Sequence, residues 1–570
     1  MSTSSSTVMR RRPMHRSSRR IIIPLLISFC FGAYNIMVFH GSDQVIRIDP
    51  YEFAKSFVNS PLAKNNDDVN DDTAKNNFKT IETKNDKNND TVSKDDRMNV
   101  LILYPDDWRH NSVGSENPIV RTPFLDSLAD GGMRFRQNCV TTSICWISRA
   151  TLFSGQWASR HKSWKLKCPH FTTSGNWNRT WPALLQKDGY FVGHVGKWQF
   201  QNHDAEQRFD WHSIFDKPNH WFQRDGQRIS AEDMAREDAI RFLQQRPKDK
   251  PFAMTVAFFP PKASGTSSEP GGQWEPKPEI RKMYDNVAIP EPYNHTHAFS
   301  LLPIFLKEPS TFATERWRQR FSSPHHYQEA LKNTYSLITQ VDDACRLIVE
   351  ELKAQGIYNN TMVIFTTDNG MFHGSHGLAG KWYPYQESIR VPLIVHDPRM
   401  PADKVGTLSD DFTLNVDLAE TILGAAGLKP HEMMQGRDIS DLYLPKEKEG
   451  KTALERNPWR DEFFYEFSYL EESEIPSSNA LVRKQWKYID WYMHNHTQLF
   501  NLKEDPLELT DVKDYPSNVG ILAEMKKTMT EYKNTLKEPG IGCKEGNHYF
   551  IGAPDAEPIS STKVTRSQFI

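Results

Sequence analysis

Residues 99–104 of this chain, NVLILY, are almost continuously apolar and lead into Asp106 and Asp107. Three other runs end the same way: YFVGHV leads to Lys197, FAMTVAFF to Lys262, and MVIFTT to Asp368 and Asn369. A run that is apolar throughout, rather than at alternate positions, reads as a strand buried on both faces. A fifth run, VPLIVHDP, is a plain core strand. Between them lie helical patterns. TPFLDSLADGGMRF stops at a glycine pair, and NTYSLITQVDDACRLIVEELKAQG is a long amphipathic helix closed by Gly356. The alternation predicts an α/β fold with a large, mainly parallel central sheet flanked by helices on both faces. Such sheets bind ligands outside the carboxyl ends of their strands. Four polar strand ends are therefore expected at one edge.

Each of these ends has an ordinary alternative as a turn, a helix cap or a solvated lysine. Their convergence is what carries chemistry. Asp106, Asp107, Asp368 and Asn369 offer hard oxygen donors, which suit calcium or magnesium and not zinc or copper. No HExxH motif accompanies them. Lys197 and Lys381 add positive charge, and such a site suits a sulfate or phosphate group. Within TTSICWISRATLFSG sits Cys145. It is open to four readings: a buried spacer, half of a disulfide, a thiolate nucleophile, or the precursor of another group. Its sulfur is a poor partner for a hard cation. The following helix favours an anion at its N-terminus, and Arg149 lies one turn on, so a thiolate could be stabilised there. An oxygen-bearing replacement for the thiol would suit the metal better.

The N-terminal region has a different character. RRRPMHRSSRR, residues 10–20, precedes the uncharged IIIPLLISFCFGAYNIMVF, residues 21–39. As a helix the latter spans about 28 Å, against about 30 Å for a bilayer core. The expectation is a basic cytosolic tail at 1–20 and a transmembrane signal anchor at 21–39, with the rest lumenal or extracellular as in a single-pass type II membrane protein of the secretory pathway. A cleaved signal peptide is the alternative. Residues 40–97, rich in Asn, Asp and Lys, are expected to be a disordered stem. Sequons at Asn89, Asn178, Asn294, Asn359 and Asn495 fit that route. Five cysteines lie past the anchor, an odd number for an oxidising compartment, so one is expected to be free or modified; Cys139 and Cys168 are candidates to pair. The net charge of −2 gives no argument for a nucleic-acid partner.

NVLILYPDD, CWISRATLFSG, GHVGKW, FTTDNG and GKWYPYQESIRVPLIV, in that order, resemble the type I, formylglycine-dependent sulfatases of the alkaline phosphatase superfamily. MQGRDISDLY, ALVRKQWKYIDW and QLFNLKEDPLELTDV resemble that family's C-terminal subdomain. The likeness runs from about Asn99 to about Tyr532. It implies an alkaline phosphatase-like catalytic domain over 98–440 and a smaller C-terminal α+β subdomain on a small antiparallel sheet over 441–540. A tail without assigned role remains at 541–570. It also implies that Cys145 is oxidised to formylglycine by a formylglycine-generating enzyme. One calcium ion would be held by Asp106, Asp107, Asp368, Asn369 and the modified Cys145. The hydrated aldehyde would attack the sulfur of a sulfate ester, and its second hydroxyl would then expel sulfate. Arg149 would hold the hydrate, and Lys197 and Lys381 the sulfate oxygens. The implied partner is a sulfated carbohydrate or another sulfate ester.

Three positions depart from the family pattern. Ile147 stands where the modification motif has proline. Gln199 and Lys262 stand where the family has histidines. Lys262 would serve as a proton donor if its surroundings lowered its pKa. The departures keep open a weakened or inactive sulfatase-like protein that binds sulfated glycans. A phosphoesterase of the same superfamily would use a hydroxyl such as Ser143 or Ser148 and a second metal-ligand set, which the sequence lacks.

Overall fold

In this computed structural model the described residues are 36–39, 45–48 and 97–536, other than 165–171, 173, 201, 266, 268, 446–456 and 469–474. The central sheet has eight strands: β1 Asn99–Leu103, β2 Met133–Cys139, β3 Phe191–Gly196, β4 Trp211–Ile214, β5 Phe252–Ala257, β6 Thr361–Thr366, β7 Leu393–His396 and β8 Thr407–Leu414. Their order is β8-β2-β7-β6-β1-β5-β3-β4. Every neighbouring pair is parallel except the two made by β7, which runs against β6 and β2. The sheet is thus mainly parallel, as the apolar runs predict.

The strands bury both faces because their side chains alternate between two cores. Val100 and Ile102 of β1 belong to one apolar cluster, Leu101 and Leu103 to the other, and β6 divides in the same way. Helices α1 Pro123–Asp130, α4 Ala231–Gln245 and α5 Pro324–Ala354 contribute to the second cluster. Helices α2 Cys145–Ser154, α3 Trp181–Lys187 and α6 Leu418–Ala425 contribute to the first. Helix α5 begins nine residues before the sequence pattern suggests. Ser323 caps it by accepting from the His326 N–H, and Pro324 fills its first position. Asp342, inside α5, accepts from the N–H groups of Phe124 and Leu125 at 3.0 and 2.8 Å, so one helix caps the start of another.

A four-stranded antiparallel sheet follows: β9 Glu462–Phe467, β10 Ser478–Arg483, β11 Trp486–Trp491 and β12 His496–Asn501, with helix α7 Val519–Thr535 packed on it. Its apolar residues join the first cluster. It also grips the segment that follows Lys381. Tyr465 Oη donates to the Trp382 carbonyl at 2.5 Å, Lys487 Nζ to the Pro384 carbonyl at 2.8 Å, and Tyr385 Oη to Gln498 at 3.0 Å.

Two expectations change. Cys139 is a free buried thiol at the end of β2, so it does not pair with Cys168, which lies outside the described residues. Asn294 is 2 % exposed and its amide donates to Glu387 at 3.0 Å, leaving no room for a glycan, whereas Asn178, Asn359 and Asn495 are exposed. The last four residues of the apolar run at 21–39, Ile36–Phe39, form a strand antiparallel to Val45–Ile48. Positions 21–35 and the rest of 40–97, read as anchor and stem, lie outside the described residues apart from Val45–Ile48 and Arg97. Among the described residues no helix is long and apolar enough to cross a membrane.

Candidate active site

The polar strand ends meet at one edge of the central sheet. Asp106 and Asp107 follow β1, Asp368 and Asn369 follow β6, Lys197 follows β3 and Lys262 follows β5. Cys145 is the first residue of α2, six positions past β2. Ligand atoms of Asp106, Asp107, Cys145 and Asp368 all lie within 4.8 Å of one another, and all four residues are buried. Close approach of the backbones makes this possible. A Cβ on Gly196 would sit 2.2 Å from the Ala257 carbonyl oxygen, so only glycine lets β3 deliver Lys197 beside β5. Asp107 adopts a left-handed φ of 62°, and its N–H donates to Asp368 Oδ1 at 3.1 Å.

The cysteine sulfur sits between acids and ammonium groups. It lies 3.2 Å from Asp106 Oδ1 and 3.8 Å from Asp107 Oδ1. Lys262 Nζ is 3.1 Å from it and Lys381 Nζ 2.7 Å. Lys381 also donates to Asp107, and Lys197 to Asp106. Arg149, which the resemblance assigns to the hydrate, is buried beside this cluster. Its Nε and Nη2 both donate to Asp368 Oδ2, at 3.1 and 2.8 Å, and its Nη1 to the Lys197 carbonyl at 3.1 Å. The partners of the sulfur are the two lysines. Arg149, stacked 5.1 Å from the Tyr104 ring centroid, fixes a carboxylate.

Four cations thus face three carboxylates in a buried site. Burial opposes the charge of Asp106, but Lys197, Lys262, Lys381 and Arg149 hold its carboxyl well below the usual range. Burial and the Asp106 charge push Asp368 up, against the pull of Arg149, Lys197 and Lys381. Burial, then Asp106, also pushes up the Cys145 thiol, so the neighbouring lysines do not make it a thiolate. Lys262 departs from expectation as well. Burial would lower its pKa, but Asp106, Cys145, Asp107 and Asp368 raise it well above the ordinary value. It is a fixed cation at neutral pH and not a lysine tuned to give up a proton.

Gln199 makes no hydrogen bond to this cluster. Its backbone N–H donates to both Asp216 oxygens at 2.9 Å, and its side-chain oxygen is buried without a partner. Of the histidines that flank Gln199 or precede Lys381 in the sequence, three have described side chains. His194 lies among Phe153, Trp198 and Phe209, where burial pushes its pKa down to about 3. His373 is pushed down to about 3 by burial, and His376 faces Glu387 at 3.4 Å. Ser143 Oγ donates to the Ser388 carbonyl, and Ser148 Oγ accepts from Asn415, so neither hydroxyl joins the site.

The donor set fits a hard cation. Asn369 donates to Asp107 Oδ1 at 2.7 Å, while its carbonyl oxygen Oδ1 is buried with no hydrogen-bond donor. An orphaned buried acceptor beside three carboxylates is what such an ion satisfies. Sequence reasoning missed Arg316 and Arg320, on the helix Phe312–Arg320. It also missed the Asn294–Glu387–Arg109 network beneath the loop at 370–390. Arg316 and Arg320 come from a segment without a strand end or a motif, and neither the sequon at Asn294 nor the motif that holds Glu387 shows that the two side chains meet.

The family model described as Sulfatase matches residues 98–428, and one described as N-sulphoglucosamine sulphohydrolase, C-terminal, matches 374–535. An N-acetylglucosamine-6-O-sulfatase of Bacteroides thetaiotaomicron is 25% identical over 512 residues, covering 78% of this chain and 86% of that protein. The human N-acetylglucosamine-6-sulfatase is 25% identical over 359 residues, covering 58% of this chain and 61% of its own length. Among solved structures, a protein in complex with its substrate D-glucosamine-2-N,6-O-disulfate has a TM-score of 0.63 at 24% identity, over 77% of this chain and 98% of that one. A phosphonate monoester hydrolase from Silicibacter pomeroyi has a TM-score of 0.64 at 18% identity, over 78% of this chain and 96% of its own. With Cys145 ringed by the strand-end acids and lysines, and with the family model spanning more than half of its length, the chain belongs to the sulfatase family of the alkaline phosphatase superfamily and is a sulfuric ester hydrolase.

Proposed function

We propose that this protein hydrolyses sulfate esters of sulfated carbohydrates, aminosugar sulfates in particular, using formylglycine made from Cys145 and one calcium ion. The observation that carries this is the position of the Cys145 sulfur, between Asp106 and Asp107 on one side and the ammonium groups of Lys262 and Lys381 on the other. The relatives named for N-acetylglucosamine 6-sulfate support the sugar class.

Asp106, Asp107, Asp368 and the free oxygen of Asn369 would hold the calcium, which when bound supplies Lewis-acid polarisation of sulfuryl oxygens. Formylglycine supplies an oxygen nucleophile in place of a thiol whose pKa burial has raised. Lys262 and Lys381 flank that position as fixed cations and hold the sulfate oxygens as charge develops on them. Lys197 neutralises Asp106, and Arg149 fixes the orientation of Asp368. Gln199 is an amide and takes no proton at neutral pH, so sulfate release lacks the base that the family's histidine provides.

The deciding measurement is the mass of the Cys145 peptide together with metal analysis and turnover of a sulfate ester. Loss of sulfur with gain of a carbonyl, one calcium per chain and turnover support the proposal. An unmodified thiol with glycan binding but no turnover supports the second reading, a binding protein, which the missing imidazoles at Gln199 and Lys262 favour. The proposal extends to a type II membrane anchor at 21–39, with the catalytic domain lumenal or extracellular. Retention in the membrane after an alkaline carbonate wash tests it, and release with a new N-terminus argues for a cleaved signal peptide.

A further inference from the structure

Beyond the four cations of the site, two arginines lie one turn apart on the helix Phe312–Arg320. The Arg316 guanidinium lies over the Trp382 ring, 4.9 Å from its centroid, and 5.6 Å from that of Phe312. It makes no hydrogen bond or ion pair with a described residue, although it is partly buried. The charges of Asp107 and of its chain neighbour Glu315 act on it, and the Trp382 ring it covers adjoins Lys381 of the reacting centre. Arg320 is anchored differently. Its Nε donates to Gln273 at 2.8 Å, and it lies 5.3 Å from the centroid of Trp274.

The platform under Arg316 is rigid. Trp382 directly follows Lys381, whose Nζ is 2.7 Å from the Cys145 sulfur. Its backbone has a left-handed φ of 84°, and its carbonyl accepts from Tyr465. Its ring folds over Gly380 so closely that a Cβ there would lie 2.6 Å from it. The guanidinium is half-buried against two rings, so an oxyanion that meets it there is held with part of its water removed. Stacking on an indole positions the planar fork and leaves its N–H groups available for a two-pronged contact with an oxyanion. The three carboxylates of the site are already matched by Arg149, Lys197, Lys262 and Lys381. Arg316 is therefore surplus positive charge beside the place where the scissile sulfate sits.

We propose that Arg316, seated on Trp382, is a specificity-determining residue that binds a second oxyanion, a sulfate or a carboxylate, on the sugar whose sulfate ester is cleaved. The proposal rests on the sulfatase reading of the same site. It makes the preferred substrate a sugar carrying two negative groups close together.

The test compares matched substrates on the full chain. Glucosamine-2-N,6-O-disulfate is set against N-acetylglucosamine 6-sulfate, and a sulfated uronate against the same sulfate on a neutral hexose. For each pair, kcat/KM and the calorimetric Kd are measured in wild type, Arg316→Ala and Arg316→Lys. A charge-assisted contact predicts a wild-type preference of about ten- to a hundredfold for the dianionic member of one pair, collapsing toward onefold in Arg316→Ala. Arg316→Lys should keep part of it, because the charge remains and the fork is lost. The pair that responds identifies sulfate or carboxylate as the group held. A merely structural role would lower both members of a pair equally. An unchanged ratio in kcat/KM and in Kd for both pairs overturns the proposal. The binding ratio stands without turnover, so a failure of the hydrolytic function is distinguishable from a failure of the subsite.

Discussion

Replacing Arg149 by methionine keeps most of its volume and removes its charge. Arg149 is 1 % exposed, and the carboxylate it serves, Asp368, is 0 % exposed. Two of its nitrogens converge on one Asp368 oxygen. Breaking a buried pair from one side leaves an uncompensated charge and costs about 3–5 kcal/mol. Unfolding entropy near about 2.1 cal/mol/K per residue, taken over the folded body between 97 and 536, comes to on the order of 0.9 kcal/mol per degree. Arg149→Met should therefore lower the melting temperature by about 3–5 °C in a calcium chelator. Saturating calcium should narrow the gap to wild type, because a divalent ion on Asp368 takes over part of the missing cation's work. Paired thermal scans of both proteins, with chelator and with excess calcium, read this directly. A gap of the same size in both conditions, or no gap at all, refutes the role assigned to Arg149 as the partner of Asp368.

Four further outcomes are expected. With Gln199 unable to accept a proton, rapid-quench kinetics on an activated sulfate ester should show a burst of one product alcohol per site before slow turnover. Gln199→His should shorten the slow phase by about a hundred- to ten-thousandfold, and a wild type without a burst, matched by an unimproved variant, argues that Gln199 is no deficit. The folded pKa of Asp368 is raised above its unfolded value of about 3.9. In the metal-free fold its contribution is therefore favourable below about pH 4 and is lost as pH rises through the folded value. Calcium needs the ionised form, so calorimetric affinity should weaken on acidification across that window, and a pH-independent affinity contradicts this. Lys487 and Glu508 form a buried pair at 2.5 Å, and Lys487 also holds the Pro384 carbonyl. Lys487→Met should cost about 3–5 kcal/mol in denaturant unfolding and lower turnover by loosening the segment that carries Lys381; an unchanged midpoint counts against it. Ile147 is the third residue of α2, where a proline gives up only an N–H that has no intrahelical acceptor. Ile147→Pro should raise the formylglycine fraction measured by peptide mass, and an unchanged fraction in the same host shows that Ile147 is not limiting.

The sequence by itself determined the strands, and with them the edge at which the chemistry gathers. NVLILY, FAMTVAFF and MVIFTT are apolar at nearly every position because both faces of the sheet are covered, and that pattern survives without knowledge of any contact. The carboxylates and lysines were legible for the same reason: each directly follows such a run, and parallel strands bring like ends together. The partners of those groups were not legible. Helical spacing put Arg149 on the face of Cys145, and its guanidinium reaches Asp368 because α2 packs beside the end of β6. Lys262 would have been a proton donor had its surroundings lowered its pKa, but Asp106, Asp107 and Asp368 at the ends of two other strands, together with Cys145, raise it. Asn294 matched a sequon, but its amide is spent on Glu387, ninety-three positions away. Arg316 had no signal at all, since its place depends on Trp382 folding back over Gly380. Local pattern reports which faces are buried. Which charges meet inside depends on distances between segments far apart in the chain, and only the tertiary packing sets those.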